Sequence, residues 1–173
     1  MLSKLLSAMS INKTITIFLV DDNALYLKDL EIAFTSKPYY KIVTFATGEL
    51  CLEQMALKPD LIILDYYLNN VKPDALNGLE ILKKIRAINS DVPVVMLSVE
   101  TSPVIAQNCL DHNANEFVIK SDICFARLRE IITTVLLDKQ HETKGNLISH
   151  LSKAFMSPAI FVIALVASIF HFK

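Results

Sequence analysis

The chain has 173 residues, a formal net charge of −1 and a hydrophobic fraction of 53%, which suits one domain with an ordinary core and a short additional segment. The balanced charge argues against a broad nucleic-acid-binding surface or a basic membrane-binding patch. The three cysteines are widely separated and form no C-x-x-C pair, so they indicate neither a zinc site nor a disulfide framework, and we expect free thiols.

Strand-type and helix-type segments alternate along most of the chain. Apolar, β-rich runs predict five strands, at residues 15–20, 41–45, 61–64, 92–97 and 116–119. Apolar residues at spacings of three and four predict five helices, at residues 24–36, 48–56, 78–88, 103–112 and 123–137. This alternation with short connections predicts an α/β fold with an open, doubly wound, five-stranded parallel sheet.

Polar residues follow four of these five strands. Asp21 and Asp22 come directly after the first strand, Asp65 after the third, Ser98 after the fourth and Lys120 after the fifth. Parallel doubly wound sheets bind ligands beyond the carboxyl ends of their strands. We therefore expect these side chains to converge on one edge of the sheet.

The three aspartates predict a metal site. Carboxylates crowded together in a half-buried place need a compensating positive charge. Mg2+ prefers carboxylate and carbonyl oxygens and keeps part of its water shell. We expect Asp21, Asp22, Asp65 and the backbone carbonyl of Tyr67 to hold Mg2+.

The same residues suit phosphoryl chemistry. An aspartate carboxylate can attack phosphorus and form an acyl phosphate, a reaction that depends mainly on positioning and on neutralisation of charge. In this scheme Asp65 is the nucleophile, Lys120 supplies a second positive charge, and Ser98 donates a hydrogen bond to a phosphoryl oxygen.

Taken together, the motif resembles the receiver domain of two-component response regulators, of the single-domain, chemotaxis-regulator-like type, over roughly residues 14–138. The family pattern is an acid pair, a phosphoacceptor aspartate, a serine or threonine and a lysine, which this chain carries as Asp21-Asp22, Asp65, Ser98 and Lys120. Phe117, three residues before the lysine, matches the aromatic switch position of the family. The resemblance implies the flavodoxin-like fold.

The resemblance also implies a mechanism and partners. A histidine kinase or a histidine phosphotransfer protein would donate phosphate to Asp65 in the presence of Mg2+. Ser98 and then Phe117 would move inward and remodel the face made by the fourth helix, fifth strand and fifth helix. We expect a regulator that assists its own phosphorylation and dephosphorylation, with output through an unidentified protein partner and without nucleic-acid binding.

Some positions depart from the family or modulate its chemistry. The loop at residues 66–77 is several residues longer than is usual in the family. Tyr67 and Glu100 occupy positions that influence how long the phosphoryl group survives, and we expect the bulk of Tyr67 to slow hydrolysis. Two alternatives remain open: a pseudo-receiver that never takes phosphate, and an acid-rich phosphohydrolase, whose D-x-D motif would follow the first strand.

The ends of the chain are unlike its centre. The sequence predicts an amino-terminal leader at 1–13, a polar linker at 139–153 and a hydrophobic helix at 154–172. The last segment contains no Asp, Glu, Lys or Arg, and its length suits a membrane-spanning helix. More lysines precede it than follow it, which predicts a cytoplasmic receiver tethered to the inner face of the membrane. The alternative is a helix that dimerises or docks on a partner protein.

Overall fold

The computed structural model describes residues 14–35, 39–68 and 74–135. The chain divides into two compact units, residues 1–132 and 133–173. The described part of the first unit contains the whole sheet, and residues 133–135 of the second are helical.

Five parallel strands form one sheet in the order β2-β1-β3-β4-β5. The strands are β1 (Ile15–Val20), β2 (Tyr40–Phe45), β3 (Leu61–Asp65), β4 (Val94–Ser98) and β5 (Glu116–Ile119). The helices of the described residues are α1 (Ala24–Thr35), α2 (Gly48–Glu53), α3 (Gly78–Ile88), α4 (Pro103–Asp111) and α5 (residues 124–135). This is the flavodoxin-like order of a doubly wound sheet, so the predicted fold class is confirmed.

The central strands are apolar because both of their faces are covered. Every residue of β3 and β4 is buried, as expected for parallel strands with helices on both sides. Side chains alternate along β1: Phe18 and Val20 join the core cluster that includes α2 and α3, whereas Ile17 and Leu19 are buried on the opposite face. Both faces of the sheet are therefore packed, and this fixes the position of the carboxyl ends of its strands.

Within the described ranges, two predicted elements differ from the observed ones by two or more residues at one end, for local reasons. The helix predicted at 48–56 ends at Glu53, and a separate 3-10 turn at Met55–Leu57 follows, closed by Lys58 in the left-handed region at φ 52°. The fourth strand begins at Val94 and not at residue 92. Pro93 has no N–H for a sheet ladder, and the carbonyl of Val92 accepts a hydrogen bond from Arg86.

The predicted leader, linker and hydrophobic helix lie outside the described residues, so they stay predictions. Within the described ranges, no helix is both long enough and apolar enough to cross a membrane.

The start of α3 is held tightly against the end of β3. Asn77 caps the helix in a reciprocal capping box with Glu80, and the N–H of Gly78 donates to the carbonyl of Tyr66 at 2.8 Å. A Cβ at Gly78 would lie 2.1 Å from the backbone oxygen of Asp65. Glycine is therefore required where the helix meets the strand end that carries Asp65.

Candidate functional site

The strand register brings the predicted site residues to the same edge of the sheet. Asp65 pairs with Leu97, next to Ser98, and Ser98 pairs with Ile119, next to Lys120. Val20 pairs with Leu64, so Asp21 follows beside Asp65. The four side chains thus come from β1, β3, β4 and β5 and meet at the carboxyl ends.

Three carboxylates form a cluster at this edge. One oxygen from each of Asp21, Asp22 and Asp65 lies within 4.8 Å of the others. Asp21 and Asp65 are buried, with 0% and 3% of their surface exposed, and Asp22 is half-buried. The other oxygen atoms are not all available, because Asp21 Oδ1 accepts the N–H of Asn23 at 2.9 Å.

Lys120 lies against two of these carboxylates. Its Nζ is 2.6 Å from Asp21 Oδ2 and 2.8 Å from Asp65 Oδ1, and its side chain is 13% exposed. The contact with Asp21 is a hydrogen bond, whereas the contact with Asp65 is an ion pair without hydrogen-bond alignment. The buried Asp65 Oδ1 consequently has no hydrogen-bond donor within the described part of the chain.

These residues fit a hard divalent cation. Lys120 offsets one of the three negative charges of the cluster, and buried charges need close compensation. All three candidate side-chain ligands are oxygens, the donors that Mg2+ prefers. The buried oxygen of Asp65 without a hydrogen-bond donor is a further place for a positive ligand.

The electrostatics of the cluster set unusual pKa values. Burial and the negative charge of Asp21 raise the pKa of Asp65 to about 6, and Lys120 opposes that rise. Burial alone would lower the pKa of Lys120, but its close contacts with the carboxylates of Asp21 and Asp65 outweigh burial and raise it. At neutral pH Asp65 is therefore an ionised carboxylate paired with a charged ammonium.

The other predicted residues surround this centre at different distances. Ser98 is fully buried, and its Oγ accepts the N–H of Glu100 at 3.0 Å. Tyr67 is half-buried and packs edge-on against Tyr66, with ring centroids 4.9 Å apart. Phe117 is half-buried and packs against the core, beside a surface groove between α4, β5 and α5. The roles predicted for Tyr67, Glu100 and Phe117 stay predictions.

Sequence reasoning missed Tyr26 and noted Gly78 only as part of the Asn77-Gly78 pair, where the family commonly has a polar residue and a glycine, although both Tyr26 and Gly78 shape the site. The ring of Tyr26 covers Lys120, with Nζ 4.5 Å from the ring centroid. Gly78 permits the close approach of α3 to the end of β3. Tyr26 lies four residues after the acid pair, in the first turn of α1. This position near the carboxyl edge of the sheet is the sequence feature that could have placed Tyr26 at the site.

The sequence profile of the response regulator receiver domain family matches residues 17–133. Among curated proteins, the chain is 33% identical over 85 residues to the two-component response regulator ORR3 of Oryza sativa. The aligned region covers 47% of this chain and 61% of that protein. The match thus spans about three-fifths of that relative.

Solved structures show the same fold. The response regulator domain of Thermotoga maritima CheB is 28% identical, with a TM-score of 0.58, over 72% of this chain and 96% of that one. The signal receiver domain of a Luxo repressor protein from Vibrio parahaemolyticus has a TM-score of 0.65 at 24% identity, over 74% of this chain and 94% of that one. The second likeness is one of fold alone.

Proposed function

Because the chain belongs to the response regulator receiver domain family, we propose that it is a phosphorylation-dependent switch in which Asp65 accepts a phosphoryl group. One observation carries this proposal: the carboxylates of Asp21, Asp22 and Asp65 share a site with the ammonium of Lys120. A nucleophile, an acidic metal site and a fixed cation are the parts that aspartyl phosphorylation needs.

Asp21, Asp22, Asp65 and the backbone carbonyl of Tyr67 would hold Mg2+, and the bound ion would neutralise both the carboxylates and the phosphoryl oxygens. A carboxylate oxygen of Asp65 attacks phosphorus of a phosphohistidine on a histidine kinase or phosphotransfer protein. The new O–P bond forms as the P–N bond breaks, and the imidazole leaves. Lys120 pairs with a phosphoryl oxygen and so offsets charge in the transferred group.

Ser98 connects this chemistry to the rest of the fold. In the structure its hydroxyl oxygen accepts the N–H of Glu100, so its proton is free to be donated. Turning that donor toward a phosphoryl oxygen changes the backbone beside β5. Phe117 lies on β5, opposite Met96 of β4, and moves inward in response.

The output surface follows from this movement. Two large apolar side chains of the groove beside Phe117 are exposed, Ile123 by 74% and Ile119 by 40%. Exposed apolar groups next to a moving element suit a protein partner. The output is therefore protein–protein interaction and not DNA binding.

The proposal also includes the location of the receiver. The apolar segment at 154–172, which has no charged residues, holds the receiver at the cytoplasmic face of the membrane.

Phosphotransfer from acetyl phosphate to the full-length chain tests the proposal. We expect Mg2+-dependent incorporation of one phosphoryl group into the wild type and none into Asp65→Asn. Asp60→Asn is the matched control, since Asp60 is also buried but lies at the opposite end of β3, where it accepts the N–H of Thr16. Its incorporation should equal that of the wild type.

Each other outcome is informative. A wild type that takes no phosphate from acetyl phosphate or from a histidine phosphotransfer protein would identify the chain as a phosphate-independent interaction module. Continued turnover of a phosphate ester, with Asp65 as nucleophile, would identify a phosphohydrolase.

A further inference from the structure

Tyr26 lies between the site and the start of α5. Its ring lies 4.5 Å from Lys120 Nζ, and its hydroxyl shares a hydrogen bond with Cys124 Sγ at 3.0 Å. The same ring packs against Phe125, with centroids 5.9 Å apart. One half-buried side chain of α1 therefore contacts the charged lysine on one side and α5 on the other.

Lys120 has three partners in the structure, and they differ in kind. Two are the carboxylates of Asp21 and Asp65, which are themselves candidate metal ligands. The third is the face of the Tyr26 ring, which attracts a cation through its quadrupole. A metal that neutralises the carboxylates weakens their attraction for the ammonium, but it leaves the attraction of the ring unchanged.

The hydroxyl of Tyr26 fixes the ring in this position. Burial, and then the hydrogen bond to Cys124, raise the pKa of Tyr26 above its ordinary value, so the phenol stays neutral under physiological conditions. Cys124 is 1% exposed, which places the anchoring sulfur inside the packed start of α5. The ring is thus held at its hydroxyl end and covers Lys120 with its face.

We propose that Tyr26 is a positioning residue for Lys120: it keeps the ammonium at the mouth of the pocket when metal and phosphoryl group occupy Asp21 and Asp65. This inference rests on the proposed function. It makes a contact between α1 and α5 part of the phosphorylation machinery, although Tyr26 itself touches no reacting atom.

A packing role is the competing explanation, because the Tyr26 ring also joins α1 to α5. Positioning of Lys120 and packing of α1 on α5 predict that different variants slow phosphorylation. Tyr26→Met removes the aromatic face but keeps apolar bulk, Tyr26→Phe removes only the hydroxyl, and Phe125→Leu weakens the packing of α1 on α5 without touching Lys120. A pure packing role makes Tyr26→Met and Phe125→Leu equivalent.

Nuclear magnetic resonance of the Lys120 side chain gives a readout that does not depend on phosphorylation. Protons above an aromatic face are shifted upfield by its ring current. We expect an upfield-shifted Lys120 ε-methylene signal in the wild type and in Phe125→Leu, a smaller upfield shift in Tyr26→Phe, whose ring lacks the hydrogen bond to Cys124, and loss of the shift in Tyr26→Met. In the wild type the upfield shift should persist when Mg2+ is added.

The second readout is the rate of phosphorylation by acetyl phosphate with saturating Mg2+. We expect Tyr26→Met to be slower than the wild type by about three- to tenfold, the range that a partly desolvated cation–π contact supports. Phe125→Leu should stay within about twofold of the wild type, since it leaves the ring of Tyr26 over Lys120. Tyr26→Phe should fall between Phe125→Leu and Tyr26→Met, because it keeps the ring but loses the hydrogen bond to Cys124 that holds the ring in position.

Three results would overturn the proposal: an upfield shift that disappears from the wild type with Mg2+, an unchanged rate in Tyr26→Met, or equal slowing in Tyr26→Met and Phe125→Leu. The magnesium titration of the wild type decides the matter even if Tyr26→Met does not fold. If the wild type takes no phosphate, the proposed function fails, while the resonance measurements still show whether the ring holds Lys120.

Discussion

At the scale of single residues, the site concentrates negative charge in a buried place, and this raises the pKa of Asp65. Folding raises its pKa from 3.8 to about 6, so the carboxyl holds its proton to higher pH in the folded, metal-free state than in the unfolded chain. For a raised acid pKa, stability falls as the pH rises from about 4 to about 6 and then stays low. This shift in pKa corresponds to a loss of up to about 3 kcal/mol.

Asp65→Asn should therefore stabilise the metal-free protein. We expect its free energy of unfolding at pH 7.5 in EDTA to exceed that of the wild type by about 1–3 kcal/mol, because no charge must be buried. The difference should vanish below pH 4 and shrink when Mg2+ stabilises the wild type. Urea unfolding over this pH range measures it. A variant less stable than the wild type at pH 7.5 would contradict the assigned electrostatics.

The limits of sequence reasoning are clearest among these residues. A correct strand assignment places the site residues together at one edge, because Asp65 and Ser98 end strands and Asp21 and Lys120 directly follow them. The hydrogen bond between Tyr26 and Cys124 joins residues 98 positions apart, and it depends on how α1 and α5 pack. No local pattern in the chain specifies that packing.

At the scale of elements, strand interiors could be predicted better than helix ends. The burial of β3 on both faces follows directly from its unbroken apolar run. The early end of α2 is capped by Gln54, whose N–H donates to the carbonyls of Cys51 and Leu52. The 3-10 turn that follows ends at Lys58, which takes a left-handed conformation that its residue type does not favour. The start of β4 depends on a contact from Arg86 to the carbonyl of Val92, which is a tertiary interaction.

Two helix starts give a matched test of capping. Asn77 makes a reciprocal capping box at α3, whereas Ser102 makes no side-chain capping bond at α4. We expect Asn77→Ala to lower the free energy of unfolding by about 1 kcal/mol and Ser102→Ala to leave it nearly unchanged. Chemical denaturation of both variants measures the difference. Equal losses would mean that the capping bond does not determine the stability of α3.

The junction of β3 with α3 makes a stronger prediction. A methyl group at Gly78 would meet the backbone of Asp65 and Tyr66, which cannot move aside without displacing the strand end. At Gly48 the added methyl would meet only the side chain of Ile81. We expect Gly78→Ala to destabilise the fold by about 1–3 kcal/mol and to weaken Mg2+ binding, because it shifts Asp65.

Gly48→Ala is the control for that experiment, since it also crowds α3 but leaves the end of β3 in place. It should lower stability without changing Mg2+ affinity, measured by isothermal titration calorimetry. If the two variants bind Mg2+ equally, the close approach at Gly78 serves packing alone and does not set the position of Asp65.

At the scale of the whole molecule, the described residues of the pocket all belong to the first compact unit. Every contact described for Asp21, Asp65 and Lys120 comes from residues before 133. We expect the proposed phosphoryl chemistry to proceed without the segment at 154–172, whose predicted task is location. Chemistry and location should be separable by truncation.

Removal of residues 146–173 should leave phosphorylation intact and abolish membrane association. We expect the truncated and full-length chains to take phosphate from acetyl phosphate at equal rates, because the pocket is unchanged. The full-length chain should sediment with membranes and resist a high-salt wash, since an apolar segment without charged residues is held by the hydrophobic effect and not by surface charge. Fractionation followed by immunoblotting measures this.

Two outcomes would contradict these expectations. Release of the full-length chain by salt alone would mean that the segment is a helix that binds a partner protein and not a membrane anchor. Slower phosphorylation of the truncated chain would show that the segment acts on the pocket.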